Sequence, residues 1–137
     1  MQKIIAFFGG INKMKLLIVD DSNFTQIITS NLMKKHFKDA EIITAKDGLE
    51  GFEKYKETKP DYAFIDLLMP KLGGSELVKM IKEYDEKAKI FVITADVQKS
   101  IKKEMEALNI KAFINKPFDE AKAKYVFDII KDDENEK

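Results

Sequence analysis

The chain has 137 residues, 24 Lys plus Arg against 24 Asp plus Glu, and no cysteine. That length suits one domain with a sizeable core, since a chain of ~150 residues removes ~70% of its unfolded surface from water. Balanced charge disfavours any general pull toward nucleic acid or an anionic membrane, and the missing cysteines exclude disulfides, thiolate metal sites and thiol nucleophiles.

The first 13 residues, MQKIIAFFGGINK, precede a second methionine at Met14. They read as a leader, either an upstream-start or added extension or a short apolar anchor or pairing segment. The apolar stretch Ile4 to Phe8 falls far below the ~20 residues of a membrane span, and no cleavage pattern follows it. The expectation is a soluble, cytoplasmic protein.

From Lys15 onward, short apolar runs alternate with stretches of helical spacing, which argues for strand-helix units and a parallel sheet buried on both faces. Strands are predicted near 15–19, 40–44, 61–65, 88–93 and 111–114. Ser22 can cap a first helix carrying Phe24, Ile27, Ile28 and Leu32 toward the sheet, and Asp47 a second carrying Leu49, Phe52 and Tyr55. A third follows Gly73 and Gly74, with Ser75 as its N-cap and Leu77, Met80, Ile81 and Tyr84 facing inward. The fourth, near 97–108, carries Ile101, Met105 and Leu108, and Asn109 suits a left-handed stop. The last, near 119–131, packs Ala121, Tyr125, Val126 and Ile129. Residues 132–137 form a charged tail expected to fray. His36 sits where a partly positive ring suits a helix C-terminus, and the Lys99, Lys102, Lys103 run reads as a solvated helix face.

The fold class is α/β, a five-stranded parallel sheet flanked by five helices. In the doubly wound order 2-1-3-4-5, ligands bind where the first and third strands leave the sheet. Asp20 and Asp21 follow the first strand, Asp66 the third, Thr94 ends the fourth and Lys116 follows the fifth. Clustered carboxylates raise one another's pKa unless a cation intervenes, and an oxygen-rich site of this kind suits Mg²⁺. Beside such an ion a carboxylate can attack phosphorus, with Lys116 and the Thr94 hydroxyl stabilising the transferred oxygens.

These residues carry a resemblance. With VDDS at 19–22, FIDLLMP at 64–70, VITAD at 92–96 and INKPF at 114–118, the chain over residues 14–131 resembles the receiver domain of two-component response regulators, most of all the stand-alone, CheY-like type. The resemblance implies that Asp66 accepts a phosphoryl group from a histidine kinase or histidine phosphotransfer protein. Asp21 would ligate Mg²⁺ (or Mn²⁺) directly and Asp20 largely through water, with Asp66 and the Leu68 backbone carbonyl completing the site. Lys116 would pair with the phosphoryl oxygens, Thr94 would swing to bond one, and Phe113 would turn inward as the switch aromatic. A cis bond before Pro117 is often found in this family. The output would be a separate target protein met by the fourth helix, fifth strand and fifth helix, possible outputs including chemotaxis.

Several positions depart from the commonest pattern. Leu68 stands where many relatives carry a polar residue, and its side chain cannot orient an attacking water; Asp96 could, so both bear on turnover. Phe113 lacks the hydroxyl of the commoner Tyr, and Gly73 replaces a frequent Asp. The protein is expected to be mainly a signalling switch that catalyses its own phosphorylation and slow dephosphorylation. The alternative is a receiver-like interaction module that works without phosphorylation. A flavodoxin is disfavoured because two aspartates after the first strand repel phosphate. A P-loop enzyme lacks its GxxxxGK[ST] motif, and an Asp-x-Asp-x-Thr hydrolase pattern is missing too.

Overall fold

Five runs that are apolar at nearly every position pair side by side in the computed structural model, which describes residues 13–136. They are β1 (Lys15–Val19), β2 (Glu41–Ala45), β3 (Tyr62–Ile65), β4 (Ile90–Thr94) and β5 (Ala112–Asn115), all parallel in the order β2-β1-β3-β4-β5. The expected leader lies outside the described residues except for Lys13. Between the strands run α1 (Asn23–His36), α2 (Gly48–Thr58), α3 (Gly74–Tyr84) and α4 (Lys99–Glu106), and α5 (Glu120–Asn135) follows β5.

Alternation along the strands divides the core into two layers. Leu16, Ile18, Tyr62, Phe64, Phe91 and Ile93 face one side with Met33 of α1 and Val126 and Ile130 of α5. Leu17, Val19, Ile65, Ile90 and Val92 face the other with Tyr55 of α2, Leu77, Val78 and Ile81 of α3, and Met105 of α4. Phe64 stacks on Phe91 with ring centroids 5.2 Å apart, and Tyr62 meets the same ring at 6.0 Å. This aromatic row fills the centre of the first layer.

The caps at Ser22 and Asp47 form as expected, Ser22 Oγ accepting from the Thr25 amide at 3.2 Å and Asp47 Oδ1 from the Glu50 amide at 2.9 Å. Asn109 adopts a left-handed φ of 59°. The third helix differs from expectation. It starts at Gly74 with Gly73 as N-cap, and Ser75 lies inside the first turn. A Cβ on Gly74 would lie 2.0 Å from the Asp66 carbonyl oxygen. Only glycine lets α3 begin hard against the end of β3.

Helix phase also departs from the predicted stripes. On α1 the buried residues are Gln26, Thr29 and Met33, whereas Phe24 and Ile27 are 73% and 59% exposed. Leu49, Tyr84 and Tyr125 are likewise exposed, and α5 turns Ala123, Val126 and Ile130 inward. These helices carry apolar residues on more than one side, so hydrophobicity alone leaves the phase open. On α1, the inward face carries the Gln26 amide, which donates to two strand-end carbonyls.

The C-terminal tail is corrected as well. Instead of fraying after residue 131, α5 continues through Asn135 with Glu134 buried. Acidic residues at a helix C-terminus oppose its dipole, but here they are engaged by the starts of three strands. The Tyr62 hydroxyl lies within hydrogen-bond distance of Asp133 and Glu134, and Asp133 pairs with Lys89 at 2.7 Å and Lys111 at 2.8 Å. Burial pushes the Asp133 carboxyl up, but the bonds from Lys111, Lys89 and Tyr62 outweigh it and hold it below its ordinary 3.8. A carboxyl lowered in this way stabilises the fold fully above 3.8 and loses that contribution as pH falls toward the lower folded value. Asp133→Asn is expected to cost about 2 kcal/mol at neutral pH. In denaturant titrations the gap from wild type should narrow as the buffer is taken into the acid range.

Candidate functional site

Register brings the acidic residues level. Val19 pairs with Ile65, so Asp20 and Asp66 leave adjacent strands side by side, and their amides continue the ladder to Ala45 and Val19 carbonyls at 3.0 Å each. Asp20 and Asp66 are 4% and 5% exposed, while Asp21, one residue on, faces solvent. One oxygen from each of the three carboxylates falls within 4.8 Å of the others.

Lys116 spans the two buried carboxylates. Its Nζ donates to Asp20 Oδ2 at 2.9 Å and to Asp66 Oδ2 at 3.0 Å. The remaining oxygens are tied locally, Asp20 Oδ1 accepting from the Ser22 amide at 2.9 Å and Asp66 Oδ1 from the Leu68 amide at 3.1 Å. Burial pushes the Asp20 carboxyl above its ordinary range, against the pull of Lys116 and the Ser22 amide. For Lys116, burial alone would depress the ammonium, but bonds to Asp20 and Asp66 prevail and raise it. The group therefore stays charged at neutral pH.

Thr94 is fully buried, and its Oγ1 accepts from the Asp96 amide at 3.2 Å. Its carbonyl accepts from the Lys116 amide at 2.9 Å, so the ends of β4 and β5 are directly coupled. Phe113 is half-buried against the core layer of α2, α3 and α4. The Lys116–Pro117 bond is cis. Leu68 is 53% exposed, and Asp96 spends Oδ1 on the Gln98 amide at 3.0 Å, a local turn before α4. Sequence reasoning passed over Gln26, a buried amide beneath the acidic loop. A polar residue six positions after Asp20 was the available signal, but the apolar residues around it masked it.

A family model, the response regulator receiver domain, matches residues 16–127. The chain belongs to the receiver family of two-component response regulators. The chemotaxis protein CheY of Listeria monocytogenes is 37% identical over 106 residues, covering 77% of this receiver and 87% of that protein. CheY of Thermotoga maritima is 36% identical over 104 residues, covering 76% and 86%. Among solved structures, the CheX–CheY–BeF₃–Mg²⁺ complex of Borrelia burgdorferi superposes with a TM-score of 0.73 at 31% identity, covering 88% of this receiver and 92% of that chain.

The donor set of this receiver fits a hard divalent ion: oxygens only, two buried and one open to water. Among the described residues no helix is long and apolar enough to cross a membrane. Without Lys116, Asp20 and Asp66 would face each other uncompensated. Lys116→Met should destabilise the metal-free protein by about 3 kcal/mol, with part of the loss recovered by Mg²⁺. Thermal unfolding in EDTA and in excess Mg²⁺ measures both effects.

Proposed function

We propose that this receiver is a phosphorylation-driven switch in which Asp66 carries the phosphoryl group. The observation that carries the reading is one ammonium held between two buried carboxylates, with a third carboxylate open to solvent beside them. An isolated structural ion pair has no need of the third.

An Asp66 oxygen attacks the phosphorus of a phosphohistidine on a histidine kinase or phosphotransfer protein. The O–P bond forms as the P–N bond breaks, and the imidazole leaves with the electron pair. Asp20, Asp21, Asp66 and the Leu68 carbonyl would hold Mg²⁺ (or Mn²⁺), which when bound would neutralise charge on the transferred oxygens. Lys116 leaves Asp20 to pair with the new phosphoryl group. The Thr94 hydroxyl can accept from Asp96 and donate to a phosphoryl oxygen at once.

Movement at Thr94 is passed to β5 through its bond to the Lys116 amide, and Phe113 turns into the space released. A coupling of ~1 to 3 kcal/mol changes target affinity 5- to 150-fold. The target is met by α4, β5 and α5, with Val97, two residues before α4, 77% exposed and Tyr125 of α5 54% exposed. We place this switch in a cytoplasmic phosphorelay of the chemotaxis type.

Incubation with Mg²⁺ and acetyl phosphate should add ~80 Da, the mass of one phosphoryl group. Asp66→Asn should abolish the gain, as should EDTA. A wild-type protein that gains no mass would favour the phosphorylation-independent module. Because Leu68 cannot orient water, Leu68→Asn is expected to shift the decay of the phosphorylated form severalfold without preventing its formation. An unchanged decay rate would count against that role.

A further inference from the structure

The side chain of Gln26 is buried where an apolar residue would ordinarily meet the sheet, at 8% exposure on the inward face of α1. Its amide nitrogen donates to the Asp20 carbonyl at 2.7 Å and to the Ala45 carbonyl at 3.1 Å. Both hydrogens of the amide group are thereby used. The Ala45 carbonyl also accepts from the Asp20 amide at 3.0 Å. Asp20 is consequently held on both sides of its Cα, by its N–H and by its C=O, where β1 and β2 end.

We propose that Gln26 is a positioning residue for the acidic pocket: it pins the peptide plane between Asp20 and Asp21, so that both carboxylates start from fixed positions. The inference rests on reading that pocket as a divalent-cation and phosphoacceptor site. The Asp20 carbonyl oxygen, the Asp21 nitrogen and both Cα atoms share one rigid plane. Fixing the oxygen therefore fixes the root of each side chain. Asp20 has further restraints, from the Ser22 amide and Lys116. Asp21 is exposed, so its carboxylate is aimed chiefly by its backbone. Groups that orient metal ligands from behind typically change metal affinity 10- to 100-fold when removed.

Glutamine is suited to this place by length and by donor count. Methionine matches its reach and fills the same space without a donor, and asparagine keeps the donors but is one methylene too short. Neither change touches a carboxylate of the pocket.

The test is Mn²⁺ binding, read from the electron paramagnetic resonance signal of the free ion, together with thermal unfolding in EDTA. Gln26→Met should weaken Mn²⁺ binding about tenfold, and Gln26→Asn should do the same, carrying the test should the methionine variant fail to fold. Met33→Val, on the same buried face of α1 but remote from the strand-end carbonyls, should lower the melting temperature and leave Mn²⁺ affinity at the wild-type value. Wild-type affinity in both Gln26 variants, or an equal loss in Met33→Val, would overturn the proposal. If the wild-type protein itself fails to bind Mn²⁺, the cation-site reading falls and this inference with it.

Discussion

One ammonium between two buried carboxylates governs this molecule. Asp20 and Asp66 are almost removed from water, and two like charges so placed repel each other strongly at the low effective dielectric of a protein interior. Lys116 lies 2.9 and 3.0 Å from them and resolves that conflict. The resolution is replaceable. A hard cation at the same oxygens would do equivalent work, and an incoming phosphoryl group would offer Lys116 a new partner. A site whose charge balance can be met in two ways has the makings of a switch.

The rest of the fold serves to hold that conflict in place. Parallel pairing sets Asp20 and Asp66 at one level, and the crossover helices keep both faces of the strands dry. Gly74 lets α3 start against the Asp66 carbonyl, while at Gly48 a Cβ would meet the Leu72 carbonyl at 2.3 Å, so α2 packs tightly on the same loop. At the opposite pole, Tyr62, Lys89 and Lys111 secure the end of α5. The sheet is thus closed at its far edge, and its chemistry is concentrated at the other.

The five strands, their order and the meeting of Asp20, Asp21, Asp66 and Lys116 were legible because most of the strands read as apolar runs and three of them lead directly into charged residues. What was not legible depended on contacts between elements. The inward face of α1 carries the Gln26 amide, which donates to two strand-end carbonyls, a contact no helical periodicity reveals. Likewise Asp133 and Glu134 look like a solvated tail until Tyr62, Lys89 and Lys111 are brought beneath them. Ser75 is a better N-cap than Gly73 by composition, yet the helix starts two residues earlier, with Gly74 packed close on Asp66.

If the charge balance at Asp20, Asp66 and Lys116 drives the switch, a change there reaches the end of β4, which the Lys116 amide bonds, and Phe113. Amide NMR spectra recorded with Mg²⁺ and then with beryllofluoride, a phosphoryl mimic, test it most directly. Mg²⁺ should shift signals near residues 19–22 and 66–68, and beryllofluoride should extend the changes to Thr94, Phe113 and Lys116. Spectra that ignore beryllofluoride at saturating Mg²⁺, or changes that stop at the carboxylates, would contradict it.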